Sequence, residues 1–502
     1  MLTCELYLRR SASDGCRPSS RAGSAVVFDC SRCSDCPDAT HVNIPAGTTT
    51  ILRSAFESCA NLVSVAMPDT VTHIEWSAFS GCKNLTSVQL SSRLTDIGDY
   101  AFQFTGLPAI DIPGSVAKIG VRAFRYSEKL TTVTLADGIT SIGIDAFYNC
   151  NVLVSIEMPD SVSYVGDGAF SNCRSLESVR LPTGITSIPS GMFYNCKNLT
   201  TIRLPNSVTS IGAHSFYSAG LVSINVPESV TRIGTKSTQV GSTYSETGVA
   251  FAGCLKLTSI HLPSSITTIF QGSFQGTGLR TITIPSSLRN ISDNLLYGSS
   301  FLTSVVISEG VRSIGGGAFA RSQNLETVTI PESVDTIGNS AFYKTGLKAV
   351  KIPSRVTSIQ RSTFQDCPLT AVTIPNKVTA IEDQAFEGCL DLKSVTIGDA
   401  VVRIGDFAFA GCASLASLLI PDSVVSIGGW AFSVNVKLKA VSIGGSVDNI
   451  GNEAFLGCLN LKSISIPDSV TRIGTLAFAG CGCAAKLFTV GAHLCDCKKC
   501  YA

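Results

Sequence analysis

The chain has 502 residues, of which 15% are charged and 44% hydrophobic, and its 38 Lys and Arg nearly cancel its 37 Asp and Glu. This balance excludes a general basic surface for nucleic acid or anionic membranes, and the apolar content excludes a disordered chain. No apolar run reaches the roughly 20 residues that a membrane-spanning helix needs. We therefore expect a folded protein with no nucleic-acid partner and no membrane-spanning segment.

The first residues show no signal peptide. Leu6, Tyr7 and Leu8 are followed at once by Arg9 and Arg10, which leaves too short an apolar stretch for one. This favours a cytoplasmic location. We predict that residues 1–38 form a cysteine-containing N-terminal segment or cap that is partly disordered.

Phenylalanine recurs at intervals of 22 or 23 residues through most of the chain that follows. Eighteen of the 24 phenylalanines occupy this one position, which Leu296 takes once. They are Phe56, Phe79, Phe102, Phe124, Phe147, Phe170, Phe193, Phe216, Phe251, Phe274, Phe319, Phe342, Phe364, Phe386, Phe409, Phe432, Phe455 and Phe478. A fixed period of this length is typical of stacked repeats rather than of globular domains.

Each repeat predicts two short strands and a turn. The segment Leu-x-x-Val-x-Leu, as at Leu85 to Leu90, alternates in the way that a strand with one buried face requires. A second extended segment, Ser-Val-Thr-x-Ile-Gly, follows it, and Ala-Phe-x-x-Cys then forms a helical or 3₁₀ turn. We expect the Gly of the second segment to take a positive φ at a corner. Examples are Gly98, Gly143, Gly212, Gly338 and Gly474.

These repeats resemble the BspA-type leucine-rich repeat family. The match is closest from Leu461 to Phe478, LKSISIPDSVTRIGTLAF, although no Asn column follows the strand as it does in ordinary leucine-rich repeats. The resemblance implies a β-rich repeat solenoid, a right-handed superhelix of about 19 coils of 22–23 residues, with short strands and short helical or 3₁₀ turns. We predict one solenoid over residues 39–490, with an insert at 235–249 and a Cys-rich tail at 491–502.

The resemblance also implies a function, namely non-enzymatic recognition of a protein ligand by an adhesive or cell-surface antigen. It therefore favours the cell surface or secretion, against the cytoplasmic location that the N-terminus suggests. The alternative is an intracellular interaction scaffold with the same surface. No phosphate-binding loop, His-Glu-x-x-His or Gly-x-Ser-x-Gly motif predicts an enzyme. We expect a monomer that binds a protein.

Two features are candidate binding sites. The first is an insert of fifteen residues, 235–249, between two repeat positions that only two residues normally separate. This insert is either a tolerated surface loop or a binding loop using Lys236, Tyr244 and Glu246. The outward column of the first strand is mostly small and polar, but Arg180 and Arg203 are neighbours in it. This column is either a solvated sheet face or a site for a protein ligand that carries carboxylates.

Eleven of the 20 cysteines occupy one repeat position, which Ala219 and Ser322 also occupy. This exchange indicates a small core residue. Successive members such as Cys173 and Cys196 would lie within disulfide reach, but a run of three cannot all pair. We therefore favour reduced core thiols and a reducing compartment.

The other nine cysteines lie near the two ends of the chain. Some of these cysteines, together with a histidine near the C-terminus, have a spacing that is suited to zinc. No other cofactor is expected. Disulfide-tied caps and plain thiols are the alternatives to a metal or redox role. The candidate ligands are Cys30, Cys33, Cys36, His493, Cys495, Cys497 and Cys500.

Overall fold

A computed structural model describes residues 18–22, 25–28, 40–236, 248–482, 488–490 and 493–495. The chain divides into two compact units, residues 1–260 and 261–502. In each unit, successive coils contribute short strands that pair in parallel, so the predicted β-solenoid is confirmed. The boundaries proposed for the solenoid, at residues 39 and 490, stay predictions.

The first strand of each coil lies on what we call the main face. These strands are His41–Asn43, Ser64–Ala66, Ser87–Gln89, Ala109–Ile112, Thr132–Leu135, Ser155–Glu157, Ser178–Arg180, Ser223–Asn225, Ser259–His261, Thr281–Ile284, Ser304–Ile307, Thr327–Thr329, Ala371–Thr373, Ser394–Thr396, Ser417–Leu419 and Ala440–Ser442. Thr132–Leu135 shows the register, because its four residues lie opposite the four of Ala109–Ile112 in the preceding coil. Burial alternates along both strands, as the sequence pattern predicts.

The second strand of each coil lies on the second face. These strands are Thr50–Ile51, His73–Ile74, Asp96–Ile97, Lys118–Ile119, Ser141–Ile142, Tyr164–Val165, Ser187–Ile188, Ser210–Gly212, Arg232–Thr235, Thr268–Ile269, Asn290–Ile291, Ser313–Ile314, Thr336–Ile337, Ser358–Ile359, Ala380–Ile381, Arg403–Ile404, Ser426–Ile427, Asn449–Ile450 and Arg472–Ile473. Outside the coils, Pro18–Ala22 pairs with Ala25–Phe28, and Phe488–Val490 pairs with His493–Cys495, both antiparallel.

The repeated phenylalanines form the centre of each unit. Phe79 and Phe102 are fully buried, and their rings stack with centroids 5.2 Å apart and planes within 7° of parallel. This separation is close to the spacing of neighbouring strands, about 4.8 Å, so each ring stays in register with its own coil. Burying one such side chain stabilises the fold by roughly 1.5–3 kcal/mol before the entropy cost.

The expectation of a positive φ for the glycine after the second strand is wrong for the five glycines named, although Gly234 at the same position has a φ of 84°. Gly98, Gly143, Gly212, Gly338 and Gly474 are absent from the residues with positive φ. A Cβ on Gly98 would instead lie 2.6 Å from the carbonyl carbon of Glu75 in the preceding coil. The glycine is therefore favoured because two backbones approach closely, and its N–H donates to Ile74 O at 2.7 Å.

Three interruptions of the second-face ladder coincide with loss of this glycine, although Phe270 replaces it without an interruption before its coil. Among the described coils, the ladder stops before Ser187–Ile188, Asn290–Ile291 and Ser358–Ile359. In these coils Pro189, Ser292 and Gln360 replace the glycine. Proline also lacks the N–H that the ladder uses. Glu75 and Glu382 keep the ladder intact, so glycine is favoured at this position but not obligatory.

The predicted helical or 3₁₀ turn is not a helix, and no helix occurs in the described part of the chain. Around Phe56, N–H groups bond alternately to the next coil (Phe56 N to Ala78 O, 2.7 Å) and to the residue three before (Ala55 N to Leu52 O, 3.1 Å). Residues two before and two after the phenylalanine have positive φ, 55° at Ser54 and 61° at Ser58. These two left-handed positions stop a right-handed helix from continuing. We call this third side of the coil the turn face.

Candidate functional site

The insert lies mostly outside the described residues. Thr235 ends the strand Arg232–Thr235 and accepts a hydrogen bond from Ala213 N at 2.7 Å, so it belongs to the coil rather than to a loop. Lys236 is exposed directly after it. Tyr244 and Glu246 lie outside the described residues, and the binding loop built on Lys236, Tyr244 and Glu246 stays a prediction.

Arg180, by contrast, is held by its own chain. Its guanidinium donates to Met158 O at 2.7 Å and to Asp160 Oδ2 at 2.8 Å. The backbone N–H of Thr183, together with this guanidinium, holds the pKa of Asp160 below its ordinary value. Arg180 is thus already satisfied by a carboxylate, which makes it a weaker candidate for binding a second one.

Arg203, the neighbour of Arg180, forms no ion pair within the part of the chain that the structure describes. The main-face strand is missing in its coil, where Arg203 makes only an isolated bridge with Asn225. An open groove of about 660 Å³ lies between this coil and the coil of Arg180. It is lined by Val179, Arg180, Leu181, Thr183, Arg203, Leu204, Pro205, Asn206 and Ser207. The structure therefore brings the two predicted arginines together at a groove.

A second groove, of about 430 Å³, lies beside Lys351 in the other unit. Lys351 also lies outside any strand, but its Nζ is 2.8 Å from Glu332 Oε1. The lysine, together with the N–H and hydroxyl of Ser354, lowers the pKa of Glu332 to about 2. This groove has no unpaired charge of its own at the outward column.

The cysteine column has a chemical role that its apolar interpretation missed. Cys173 Sγ donates to the carbonyl oxygen of Phe147, one coil earlier, at 3.2 Å, and Cys389 Sγ donates to Phe364 O at 3.2 Å. Cys82, Cys150, Cys196, Cys254, Cys367, Cys412, Cys458 and Cys481 make the same bond. Ser127, Ser299, Ser322 and Asn435 replace the thiol as donor. The column therefore selects a small hydrogen-bond donor.

Ten cysteines of this column are thiols, whereas Cys59 is disulfide-bonded. Burial raises the pKa of Cys82 and Cys254 to about 12 and that of Cys367 to about 11. Because the thiolate is the nucleophile in oxidation and exchange, buried thiols of high pKa are unreactive. Reduced thiols in this column therefore do not require a reducing compartment.

The proposed zinc ligands are not tested by the structure. Cys30, Cys33, Cys36, Cys497 and Cys500 lie outside the described residues, and His493 and Cys495 lie in a strand whose side chains are not described. Elsewhere, the described coils contain no group of three or more His, Cys, Asp or Glu side chains placed to hold a metal. Nor does the described chain contain a helical segment with the length and apolar character needed to cross a bilayer.

Leucine-rich repeat proteins are among the solved structures that are similar to this chain. A leucine-rich repeat protein from Bacteroides ovatus is 23% identical over 91% of this chain and 96% of its own, with a TM-score of 0.43. A leucine rich cell surface protein from Faecalibacterium prausnitzii is 25% identical over 80% of this chain and 87% of its own (TM-score 0.35). The pneumococcal vaccine antigen PcpA is 21% identical over 66% and 96% (TM-score 0.44). Among curated protein sequences, none matches this chain significantly.

The family assignment rests on the repeats themselves. The profile described as BspA type Leucine rich repeat region (6 copies) matches residues 29–145, 117–240, 248–370 and 357–484. These ranges include nearly all the coils that the structure describes, and the predicted resemblance is confirmed. The chain belongs to the BspA-type leucine-rich repeat family.

Proposed function

We propose that this chain is a non-enzymatic recognition protein that binds a protein ligand at a cell surface or outside the cell. The leucine-rich repeat fold is a protein-interaction scaffold and is typically non-enzymatic. The surface location is the finer part of the proposal. Two of the structurally similar proteins are described as a cell surface protein and a vaccine antigen.

The observation that carries ligand binding is the groove beside Arg203. Most outward positions of the main face are small and polar. Here a missing strand accompanies an open groove of about 660 Å³ and a cation that has no acidic partner among the described residues. An arginine in this setting can bind a carboxylate in two-point geometry, which gives orientation as well as affinity.

A photo-crosslinking amino acid at Asn206, an exposed residue of the groove, tests this site in the full-length chain. The control is the same amino acid at Asp468, an exposed residue three after the outward Ser465 as Asn206 is three after Arg203. We expect one ligand to crosslink from Asn206 and not from Asp468, and Arg203→Glu to reduce its yield at least tenfold. Equal crosslinking from both positions would remove the groove from the proposal.

The disulfide at Cys59 supports the surface location, because disulfides persist in oxidising compartments. The alternative, an intracellular scaffold, drew its support from the N-terminal residues and from reduced core thiols, and burial explains the thiols without a reducing environment. Protease treatment of intact cells that express the tagged full-length chain separates the two. Cleavage of the tag on intact cells is expected, and full protection would favour the intracellular scaffold.

The insert and the terminal cysteines remain separate candidates. Deleting residues 237–247 spares Thr235 and Lys236, so the melting temperature should stay nearly unchanged while any ligand that needs Tyr244 or Glu246 is lost. For the terminal cysteines, less than one equivalent of zinc in the purified full-length chain would end the metal hypothesis.

A further inference from the structure

Large side chains occupy left-handed positions of the turn face in two consecutive coils. In residues 40–236 these positions are mostly Gly, Asn, Ser or Asp, the residues that adopt positive φ most readily. Tyr100, Phe104, Arg122 and Tyr126 depart from this rule, with φ between 57° and 61°, as does His214 farther along. The coils around Phe102 and Phe124 therefore place large side chains at four positions that smaller residues mostly fill elsewhere in residues 40–236, as Phe407, Trp430, Val434 and Leu476 do in the other unit.

These residues and their neighbours form two aromatic clusters, one on each side of the buried phenylalanine column. We define the aromatic patch as Trp76, Tyr100, Phe104, Arg125, Tyr126 and Tyr148. The rings of Phe104 and Tyr126 stack at 4.9 Å, and those of Tyr126 and Tyr148 meet edge to face at 5.5 Å. Trp76 and Tyr100 lie 5.7 Å apart on the other side of the buried phenylalanine column.

Folding alone does not account for the patch. Trp76 and Phe104 remain 38% and 41% exposed, so their rings gain only part of the stabilisation that burial would give. Asn149, Asn172 and Asn195 fill the same left-handed position as Phe104 and Tyr126 in the next three coils, without the steric cost of a large side chain. Residues that break a local rule without a matching gain in stability indicate a functional surface.

The cations of the patch indicate the charge of what it binds. Arg125 lies over the rings of Tyr126 and Tyr148, at 5.0 and 4.8 Å, and Arg53 lies over Trp76 at 4.3 Å. Arg122 is bound by Asp145, which also attracts the charge of Arg125, but neither Arg125 nor Arg53 forms an ion pair within residues 40–236 and 248–482. Trp, Tyr and Arg are also the residues that carry most binding energy in protein interfaces.

We propose that the aromatic patch binds an acidic segment of the protein ligand, in which apolar side chains contact the rings and carboxylates contact Arg125. This inference rests on the proposed function, and it adds a second contact surface, on the turn face rather than on the main face.

A random peptide library displayed on phage, selected on the immobilised full-length chain, tests the proposal. The test variant is Phe104→Asn with Tyr126→Asn, which installs the residue that the next three coils use. Val434→Asn is the matched control, because Val434 has a φ of 58° at the same position of a coil in the other unit. We expect enriched peptides with net negative charge and apolar residues that bind the test variant at least tenfold more weakly and the control equally well.

A second variant, Arg125→Gln, removes the charge while keeping a polar side chain. It should weaken the acidic peptides at least fivefold. Peptides that bind both variants as well as the original chain would overturn the patch and leave protein recognition at the Arg203 groove standing. Enrichment of neutral or basic peptides, or no enrichment, would overturn the acidic ligand. If the full-length chain self-associates and only the Asn variant loses this, the patch binds a second copy and not an acidic ligand. If the chain binds phosphatidylserine vesicles and only the Asn variant loses this, the patch binds a membrane instead.

Discussion

Arg203 and Lys351 occupy the same outward column, one in each unit, and in neither coil does the chain form its main-face strand. Both places carry an open groove, of about 660 and 430 Å³. They differ in charge, because Lys351 pairs with Glu332 at 2.8 Å while Arg203 has no acidic partner in the described chain. The missing main-face strand thus accompanies a paired lysine in one unit and an arginine that is available to a ligand in the other.

This difference shows where recognition is to be sought in a repeat protein. A missing strand opens a groove in either unit, so the groove alone does not distinguish a binding site. What distinguishes it is whether the neighbouring coils satisfy the side chains that line it. The four tests that follow address first the ladders that hold the coils together, and then the charges in the grooves.

The largest effect is expected where the ladder is continuous. In Gly143→Ala the new Cβ would lie 2.5 Å from the carbonyl carbon of Gly120, so we expect the free energy of unfolding to fall by about 3 kcal/mol. Gly184→Ala is the control, because no atom lies within 4 Å of a Cβ there. Urea denaturation of both variants measures the difference. Equal midpoints would contradict close approach as the reason for the glycine.

A smaller effect is expected in the thiol column, which the two units share. Cys173→Ala and Cys389→Ala each remove one of two donors to a buried phenylalanine carbonyl, which keeps its bond from the backbone N–H of Cys150 or Cys367. Each should therefore lose about 1.5 kcal/mol. Cys173→Ser should recover much of this loss, because Ser127 and Ser322 already make the bond. If Ala and Ser variants melted at the same temperature, the column would be selected for size alone.

Reversing the charge at Lys351 or at Arg203 is expected to change stability by less, and differently in the two grooves. Lys351→Glu places a carboxylate beside Glu332 and should lower the melting temperature by less than the thiol substitutions do, whereas Arg203→Glu should leave stability unchanged. Thermal unfolding at low salt measures both variants. A larger loss for Arg203→Glu would mean that Arg203 has a structural partner, contrary to the comparison.

The smallest effect is the pH dependence of the Lys351 groove. The pKa of Glu332 is lowered from 4.5 to about 2, so its ionised form stabilises the folded state above pH 4.5 and this contribution is lost as the pH falls toward 2. Lys351→Met should make the urea midpoint less dependent on pH in this range. Identical pH profiles for the variant and the original chain would show that Ser354, rather than the lysine, holds the carboxylate.

The solenoid could be predicted from periodicity, because the spacing of Phe56 to Phe478 fixes which residues stack. The role of the glycines was predicted wrongly, since a short sequence pattern does not distinguish positive φ from close backbone approach. The thiol bonds were missed because cysteine was treated as apolar, although Ser127, Ser322 and Asn435 in the same column were a visible signal.

The grooves could not be predicted in this way. Leu199 to Leu204 and Leu347 to Ile352 keep the apolar pattern of the main-face strand, yet neither forms one. Strand pairing there depends on the backbone of both neighbouring coils, which no single repeat encodes. The aromatic patch was accessible in principle, by comparing one turn-face residue per coil.

The thiol column also makes the unfolding of individual coils measurable. A sulfhydryl that is sealed in its coil reacts with an alkylating reagent only when that coil opens, and cysteine occurs at this position in coils of both units. Mass spectrometry of peptides after brief labelling in increasing urea would therefore rank the coils by their local stability. The chain thus has built-in reporters that show whether it comes apart from its ends or from its interrupted ladders.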